Sequence, residues 1–449
     1  MLAVHVSLPS GCCKTLLLPQ SSTVSDLKIL AQESFGQGFL RLVTEEGRML
    51  TDLMETLPSA IQDGEHLTAI AQQPKLAASC YAFAMWCCGG DRVVTWGDSS
   101  FGGDSSAVRG QLRNVQQIQA TSAAFAAILA DGSVVTWGDS SFGGDSSEVR
   151  GQLRNVQQIQ ATADAFAAIL ADGSVVTWGN QESGDCSTVQ HQLRNVKEIH
   201  ATLDAFAAIL ADGSVVTWGD QTDGGDSSAV QHQLRNVQQI QASSAAFAAI
   251  LTDGSVVTWG DQETGGDSSA VQHQLRNVRE IQAAFEAFAA ILEDGSVVTW
   301  GHEENGGDSS AVQDQLKNVQ EIHATLDAFA AILADGSVVT WGEQERGGNS
   351  SAVQHQLRNV REIHGTLDAF AAILADGSVV TWGDQTYVAD SSAVQDQLRN
   401  VRLIHSTRHL GGGSSGAFAA VVGDCSIVSW GDPSKGEANS SVADQILYL

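Results

Sequence analysis

The sequence predicts a mainly β protein: a β-propeller of about eight or nine short, three-stranded blades, preceded by a small α+β domain. Three observations predict it. The string Val-Val-Thr-Trp-Gly recurs with its Trp at 96, 137, 178, 218, 259, 300, 341 and 382, at intervals of 41 residues broken once by 40. A ninth, degenerate copy, Ile-Val-Ser-Trp-Gly, ends at Gly431, its Trp430 lying 48 residues after Trp382. Residues 1–72 contain no copy, and Gly is plentiful (45) while Pro is scarce (5), which suits tight β turns.

The N-terminal region alternates from the start. Met1 to Ser7 reads as a strand, Pro9-Ser10-Gly11 as a turn, and Lys14 to Leu18 as a second strand. Thr23 followed by Asp26 resembles a capping box opening a helix to about Phe35, with Val24, Leu27 and Ala31 facing inward. Phe39 to Val43 and Glu65 to Ile70 are later strands. This ββαβ…β order resembles ubiquitin, and Arg41-Leu42-Val43 with Gly47-Arg48 and Leu50 is similar to its central strand and turn. The resemblance implies a β-grasp domain over 1–73, with Val43, Thr68 and Ile70 on the outward patch that ubiquitin uses for partners. The chain continues as Gln72-Gln-Pro-Lys75 with no Gly-Gly, so the resemblance implies a fixed docking module for a ubiquitin receptor and no conjugation.

From 76 to 449 the repeat governs. Eight times a Gln-Leu-(Arg/Lys)-Asn-Val motif precedes a copy, first at Gln111 to Val115. Val115 to Ala120 reads as an alternating strand. Ala124-Phe-Ala-Ala-Ile-Leu129 is continuously apolar and six residues long, as expected of a strand buried on both faces. Asp131-Gly132 is a two-residue hairpin turn, and Ser133 to Trp137 is a β-branched third strand. A meander this small cannot bury both faces alone, so the Phe and Trp of each unit are expected between stacked sheets. The segment Gly225 to Leu234 would carry the chain to the next blade, with Asp226 or Ser227 capping one helical turn.

The Asp-Gly-Ser-Val-Val-Thr-Trp-Gly-Asp string with Ala-Phe-Ala-Ala-Ile-Leu before it resembles the repeat of the regulator of chromosome condensation family. The short unit is more similar to the bacterial β-lactamase inhibitor propeller, whose blades are three-stranded. Nine copies exceed the seven blades usual in that family, so a ring of eight or nine blades and an open spiral both remain as readings.

Composition narrows function. A net charge of -29 disfavours nucleic acid and anionic membranes and favours a basic protein partner. No apolar run reaches the roughly 20 residues of a membrane span, and no basic-then-apolar leader opens the chain. The seven Cys include no C-x-x-C pair; Cys12-Cys13 and Cys87-Cys88 read as strand or turn thiols, and an intracellular protein of the cytoplasm or nucleus is expected. His191, His232, His273 and His355 fall in separate linkers, and the Gly-Gly-Asp motif reads as a turn. No nucleophile elbow or phosphate-binding loop occurs, so neither catalysis nor a cofactor is expected.

The expected function is a non-enzymatic interaction scaffold linked to ubiquitin signalling. The alternative is an accessory or substrate-binding part of a ubiquitin ligase system, or a small GTPase exchange factor. The units differ most in two loops expected on one rim: before the second strand, and after Trp-Gly. Leu203, Asp204, Phe285, Glu286, Leu326, Asp327, Leu367, Asp368 and Tyr387 are the candidate binding residues there, expected as exposed anchors beside carboxylates. The Asp-Gly turns barely vary and should lie opposite.

Overall fold

A computed structural model describes the chain apart from residues 36–39, 51–53, 72–73, 88–91, 387–389, 407–415, 424–426 and 432–449. At the N-terminus β1 (Leu2–Ser7) and β2 (Cys13–Leu18) form an antiparallel pair, and β4 (His66–Ala71) lies parallel to β1 and antiparallel to β3 (Leu40–Thr44), giving the order β2-β1-β4-β3. The capping box is formed: the Thr23 N–H donates to Asp26 Oδ2 at 2.8 Å and the Asp26 N–H to Thr23 Oγ1 at 3.3 Å, opening α1 (Val24–Phe35). Val24, Leu27 and Ala31 bury against Val4, Val6, Leu42 and Leu67 in a cluster whose described members run from Leu2 to Ala69.

The remaining described residues form nine three-stranded antiparallel sheets, each a meander, in the manner of a repeat propeller. Repeat 1 comprises Pro74–Ala78, Ala82–Cys87 and Val93–Gly97. Its first strand starts two residues before the boundary expected at 76 and stands where the strand after the Gln-Leu-Arg-Asn lead-in stands in other repeats. Repeats 2 to 8 follow one pattern, as in repeat 5: Val237–Ala242, Ala246–Leu251 and Val256–Gly260. Repeat 9 holds Leu403–Ser406, Ala417–Val421 and Ile427–Gly431.

The second strand behaves as its composition requires. In repeat 2 its alternate residues face opposite neighbours: Phe125 and Ala127 pack with Ala84 and Trp86 of repeat 1, while Ala124, Ala126 and Ile128 pack with Phe166 and Trp178 of repeat 3. Alanine on one side leaves room for the aromatic pair of the next sheet, and that pair is stacked, as Phe247 and Trp259 are at 5.1 Å. Each sheet shares such a cluster with the next. A further cluster joins Phe83, Met85 and Trp96 of repeat 1 to Ala417, Ala419 and Val421 of repeat 9.

Two glycine positions are dictated by geometry. Gly224 has φ +99°, and a Cβ there would lie 2.6 Å from Phe247 Cδ2; its carbonyl accepts from Trp259 Nε1 at 3.1 Å. Gly132 in the Asp-Gly turn has φ +77° and sits against Asn155 of the following unit, whose own φ is +55°. The Val156 N–H donates to the Gly132 carbonyl at 2.9 Å, so the hairpin of one sheet is tied to the lead-in of the next. Ser133 belongs to this turn and not to the third strand, because Asp131 Oδ1 accepts from its N–H and hydroxyl at 2.9 and 2.6 Å. The Gly-Gly-Asp segment is likewise a turn, with Asp226 Oδ1 accepting from the Ser228 N–H at 2.9 Å.

Candidate functional site

The loop before each second strand (the first loop) and the loop leaving each third strand (the outgoing loop) meet on one face. The Asp220 N–H donates to the Asp204 carbonyl at 2.8 Å, and the His302 N–H to the Glu286 carbonyl at 2.8 Å. Thr202 ties the two together: its hydroxyl accepts from the Ala205 N–H at 2.9 Å and donates to the Asp223 carbonyl at 3.0 Å. Successive first loops are themselves linked. Backbone bonds run from Cys80 to Ser122, Ala163, Leu203, Ser244, Phe285, Leu326 and Leu367, each N–H donating to the next carbonyl at 2.7–3.0 Å.

This chain of bonds changes the expected surface. Leu203, Phe285 and Leu326 are half-buried, and Leu367 is buried. Phe285, Leu326 and Leu367 line one cavity of about 310 Å³, floored by Gln160, His200, Gln241 and Gln282 of the first strands. Leu203 is not among its lining residues. The expected exposed anchors therefore close over the interior ends of the first strands. Asp204 and Glu286 are half-buried, whereas Asp327 and Asp368 are buried, which corrects their expected exposure. The cause is Arg346: it reaches Asp327 Oδ2 at 2.5 Å and Asp368 Oδ1 at 3.3 Å, clamping two repeats together. Tyr387 lies outside the described residues.

Three first-loop acids address the residue 19 positions later in their own outgoing loops. Asp164 accepts from the Ser183 hydroxyl, Glu286 from Asn305 Nδ2 at 2.6 Å, and Asp327 from Arg346. At Asp204 that residue is Asp223. Burial, with Asp164, Asp223, Asp220 and Glu182 nearby, pushes the Asp204 carboxyl up to about 6. Asp223 is also raised, by burial and then by Asp220 and Asp261. Asp327 stays above the ordinary carboxylate range through burial, although Arg346 opposes the shift.

A second set of groups lies outside the residues singled out from sequence. The first strands place Glu198 and His200 at 3.5 Å, Glu321 and His323 at 3.3 Å, and Glu362 and His364 at 3.4 Å. His323, His364 and His405 line a cavity of about 280 Å³ with Glu321, Glu362 and Gln282. Burial holds the His200 imidazole below its ordinary range against the opposing pull of Glu198. The signal was the residue after Ile in each first strand.

On the N-terminal sheet Val43 is half-buried opposite Thr68, and Thr68 and Ile70 are exposed, Ile70 by 40%. Arg41 pairs with Ile70 in register, and the stacked rings of His5 and His66, 4.6 Å apart, lie on adjacent strands. Among the described residues no group of three or more His, Cys, Asp or Glu is arranged to hold a metal, and no helix is long and apolar enough to cross a membrane.

No family model matches the chain, and no curated protein matches it. Solved structures do. Yeast RCC1 (Prp20), in its complex with Kap60, is 15% identical over 83% of this chain and 91% of that one, with TM-score 0.41. The computationally designed Ika8 protein is 15% identical over 71% of this chain and 96% of its own, with TM-score 0.36. The CRINKLY WD40 ectodomain of the Arabidopsis thaliana receptor kinase ACR4 is 16% identical over 60% and 93%, with TM-score 0.33.

Proposed function

We propose that the chain is a non-enzymatic protein-interaction scaffold: a closed nine-bladed propeller of the condensation-regulator kind, carrying a ubiquitin-like module at its N-terminus. The observation that carries the reading is the asymmetry of the two faces. On the hairpin face each turn of repeats 2 to 8 is committed to its neighbour, as Gly132 is to Val156, and the unit-to-unit sequence is nearly constant. On the loop face of repeats 2 to 7 the backbone is equally fixed, but the side chains it presents differ from repeat to repeat, mixing Leu and Phe with carboxylates. A rigid frame displaying varied side chains suits recognition of one protein surface.

The apolar cluster between repeats 1 and 9 supports ring closure. The helix packed on a mixed sheet, with Thr68 and Ile70 outward, supports the ubiquitin-like reading and a ubiquitin receptor as its partner. The test compares co-purifying proteins, identified by mass spectrometry, between wild type and two variants. Phe285→Ala with Leu326→Ala should lose specific partners that Ser255→Lys, on the hairpin face, retains. Equal losses from both faces refute the assignment.

A further inference from the structure

The cavity of about 310 Å³ at the ends of the first strands is unlike the rest of this chain. The chain carries 52 acidic residues, yet none of the cavity's described lining residues is Asp, Glu, Lys or Arg. The neighbouring cavity, which shares Gln282 and Ala324 with it, holds Glu321 and Glu362. Its one titratable lining group, His200, is held below its ordinary range by burial, so the imidazole is neutral near pH 7. Two hydroxyls of the wall are taken up by the fold: Thr202 Oγ1 donates to the Asp223 carbonyl and Ser243 Oγ to the Thr264 carbonyl, both at 3.0 Å. The half-buried Gln160 and Gln241 amides and the buried Ser244 hydroxyl have no hydrogen-bond partner among the described residues. Phe285, Leu326 and Leu367 supply the apolar lining, and in repeats 2 to 8 only Phe285 is aromatic at its position.

These groups define a ligand by exclusion. A charged molecule would lose water and find no countercharge, and a purely apolar one would cover the amides without pairing them. The volume lies at the small end of ligand sites, about 300–1,000 Å³. We propose that the cavity binds one neutral sugar ring, its hydroxyls on Gln160, Gln241 and Ser244 and a C–H face against Phe285. A hydroxyl both donates and accepts, so it matches either end of a glutamine amide. The negative face of an aromatic ring attracts C–H groups. The polar groups and Phe285 arrive from four successive repeats, 3 to 6, which suits a ring bearing hydroxyls around its edge better than a side chain with one polar tip. The site is one for a small molecule and does not rest on the scaffold reading.

Ligand-observed saturation-transfer NMR on the full chain tests this, with D-glucose, D-galactose and N-acetyl-D-glucosamine as probes. At least one should bind saturably. D-glucuronate and D-galacturonate, which carry a carboxylate on the same rings, should bind at least tenfold more weakly than the best neutral sugar. Methyl glycosides separate the sources: retained binding assigns the terminal residue of a glycan, lost binding a free reducing sugar, and either supports the site. Gln160→Leu with Gln241→Leu should abolish binding without changing the circular dichroism melt, Phe285→Leu should weaken it, and Ser255→Lys should leave it intact. Absence of saturable binding by all three sugars overturns the proposal. So does equal binding of the uronates, binding that survives both Leu substitutions in a folded protein, or tighter binding of N-acetyltyrosinamide, a neutral protein-like side chain.

Discussion

The indole bond across each sheet interface can be weighed by subtraction inside one molecule. Trp259 donates Nε1–H to the Gly224 carbonyl at 3.1 Å, and five other repeats make the same bond across 35 residues. Trp218 has no partner for its Nε1 among the described residues, because the preceding outgoing loop is one residue shorter and Ser183 stands where Gly224 would. The two indoles are otherwise matched: 4% and 3% exposed, each stacked on its Phe at 5.1 Å. Replacing either with Phe leaves a similar void, so the cavity cost cancels in the difference. At Trp259 the change loses a bond worth about 1 kcal/mol, and at Trp218 it removes an unsatisfied buried donor that costs about 1–3 kcal/mol. Trp259→Phe should therefore cost roughly 2 kcal/mol more than Trp218→Phe. Urea midpoints with unchanged slopes measure this, and full truncation by Trp259→Ala should cost about 3–5 kcal/mol. Equal costs for the two Phe variants, or a greater cost at Trp218, refute the bond's role.

Four further outcomes are expected. Gly224→Ala places a Cβ against Phe247 at positive φ and should destabilise by more than about 1 kcal/mol, whereas Gly151→Ala, with nothing within 4 Å, should be neutral or slightly stabilising in the same urea assay. The Asp204 carboxyl is raised in the fold, so the folded state binds more protons than the unfolded one between the ordinary value of 3.8 and about 6. That term lowers stability as pH rises through this window, and Asp204→Asn should remove it, seen as a flatter difference curve of urea midpoint against pH. A fragment from 75 to 449 should unfold cooperatively with a β-type circular dichroism spectrum; an unfolded fragment beside a folded full chain refutes the module boundary. Ile70→Asp should abolish binding of a ubiquitin receptor and leave the melting curve of the N-terminal sheet unchanged; retained binding removes the patch.

Much of the fold was readable because the repeat multiplies each local signal. Ala124 to Leu129 could be only a strand buried on both faces once its copies were aligned, and the 40-residue interval before Trp218 marked the shortened loop. The first strands were harder. Strict alternation would put Val196, Glu198 and His200 on one face, but a bulge between Val196 and Glu198 turns Val196 and Ile199 to the core and leaves Glu198 and His200 opposite. Spacing in sequence conceals that shift, so the histidines facing one another across first strands went unread while the solvent-exposed ones drew notice. Leu367 and Asp368 are buried for a reason that lies outside their own unit. Their burial depends on the Leu326 N–H and the Arg346 guanidinium, partners that lie in another unit.

The near identity of repeats 2 to 8 has a consequence for how the chain finds its own order. Phe, Trp and the small Ala face are the same in each, so a wrong neighbour fits almost as well as the right one, and a sheet that skips a unit meets no clash to report the error. The interface between repeats 1 and 9 is different: Met85 and Cys87 stand on one side where other sheets carry Ala and Leu, and Val421 faces them. That pairing is unlike all the others and can form only between the two ends. With Trp86 set against repeat 2 and the Arg346 clamp between repeats 7 and 8, it is one of the few address labels in a set whose apolar faces are otherwise alike, and it specifies which two ends fit each other.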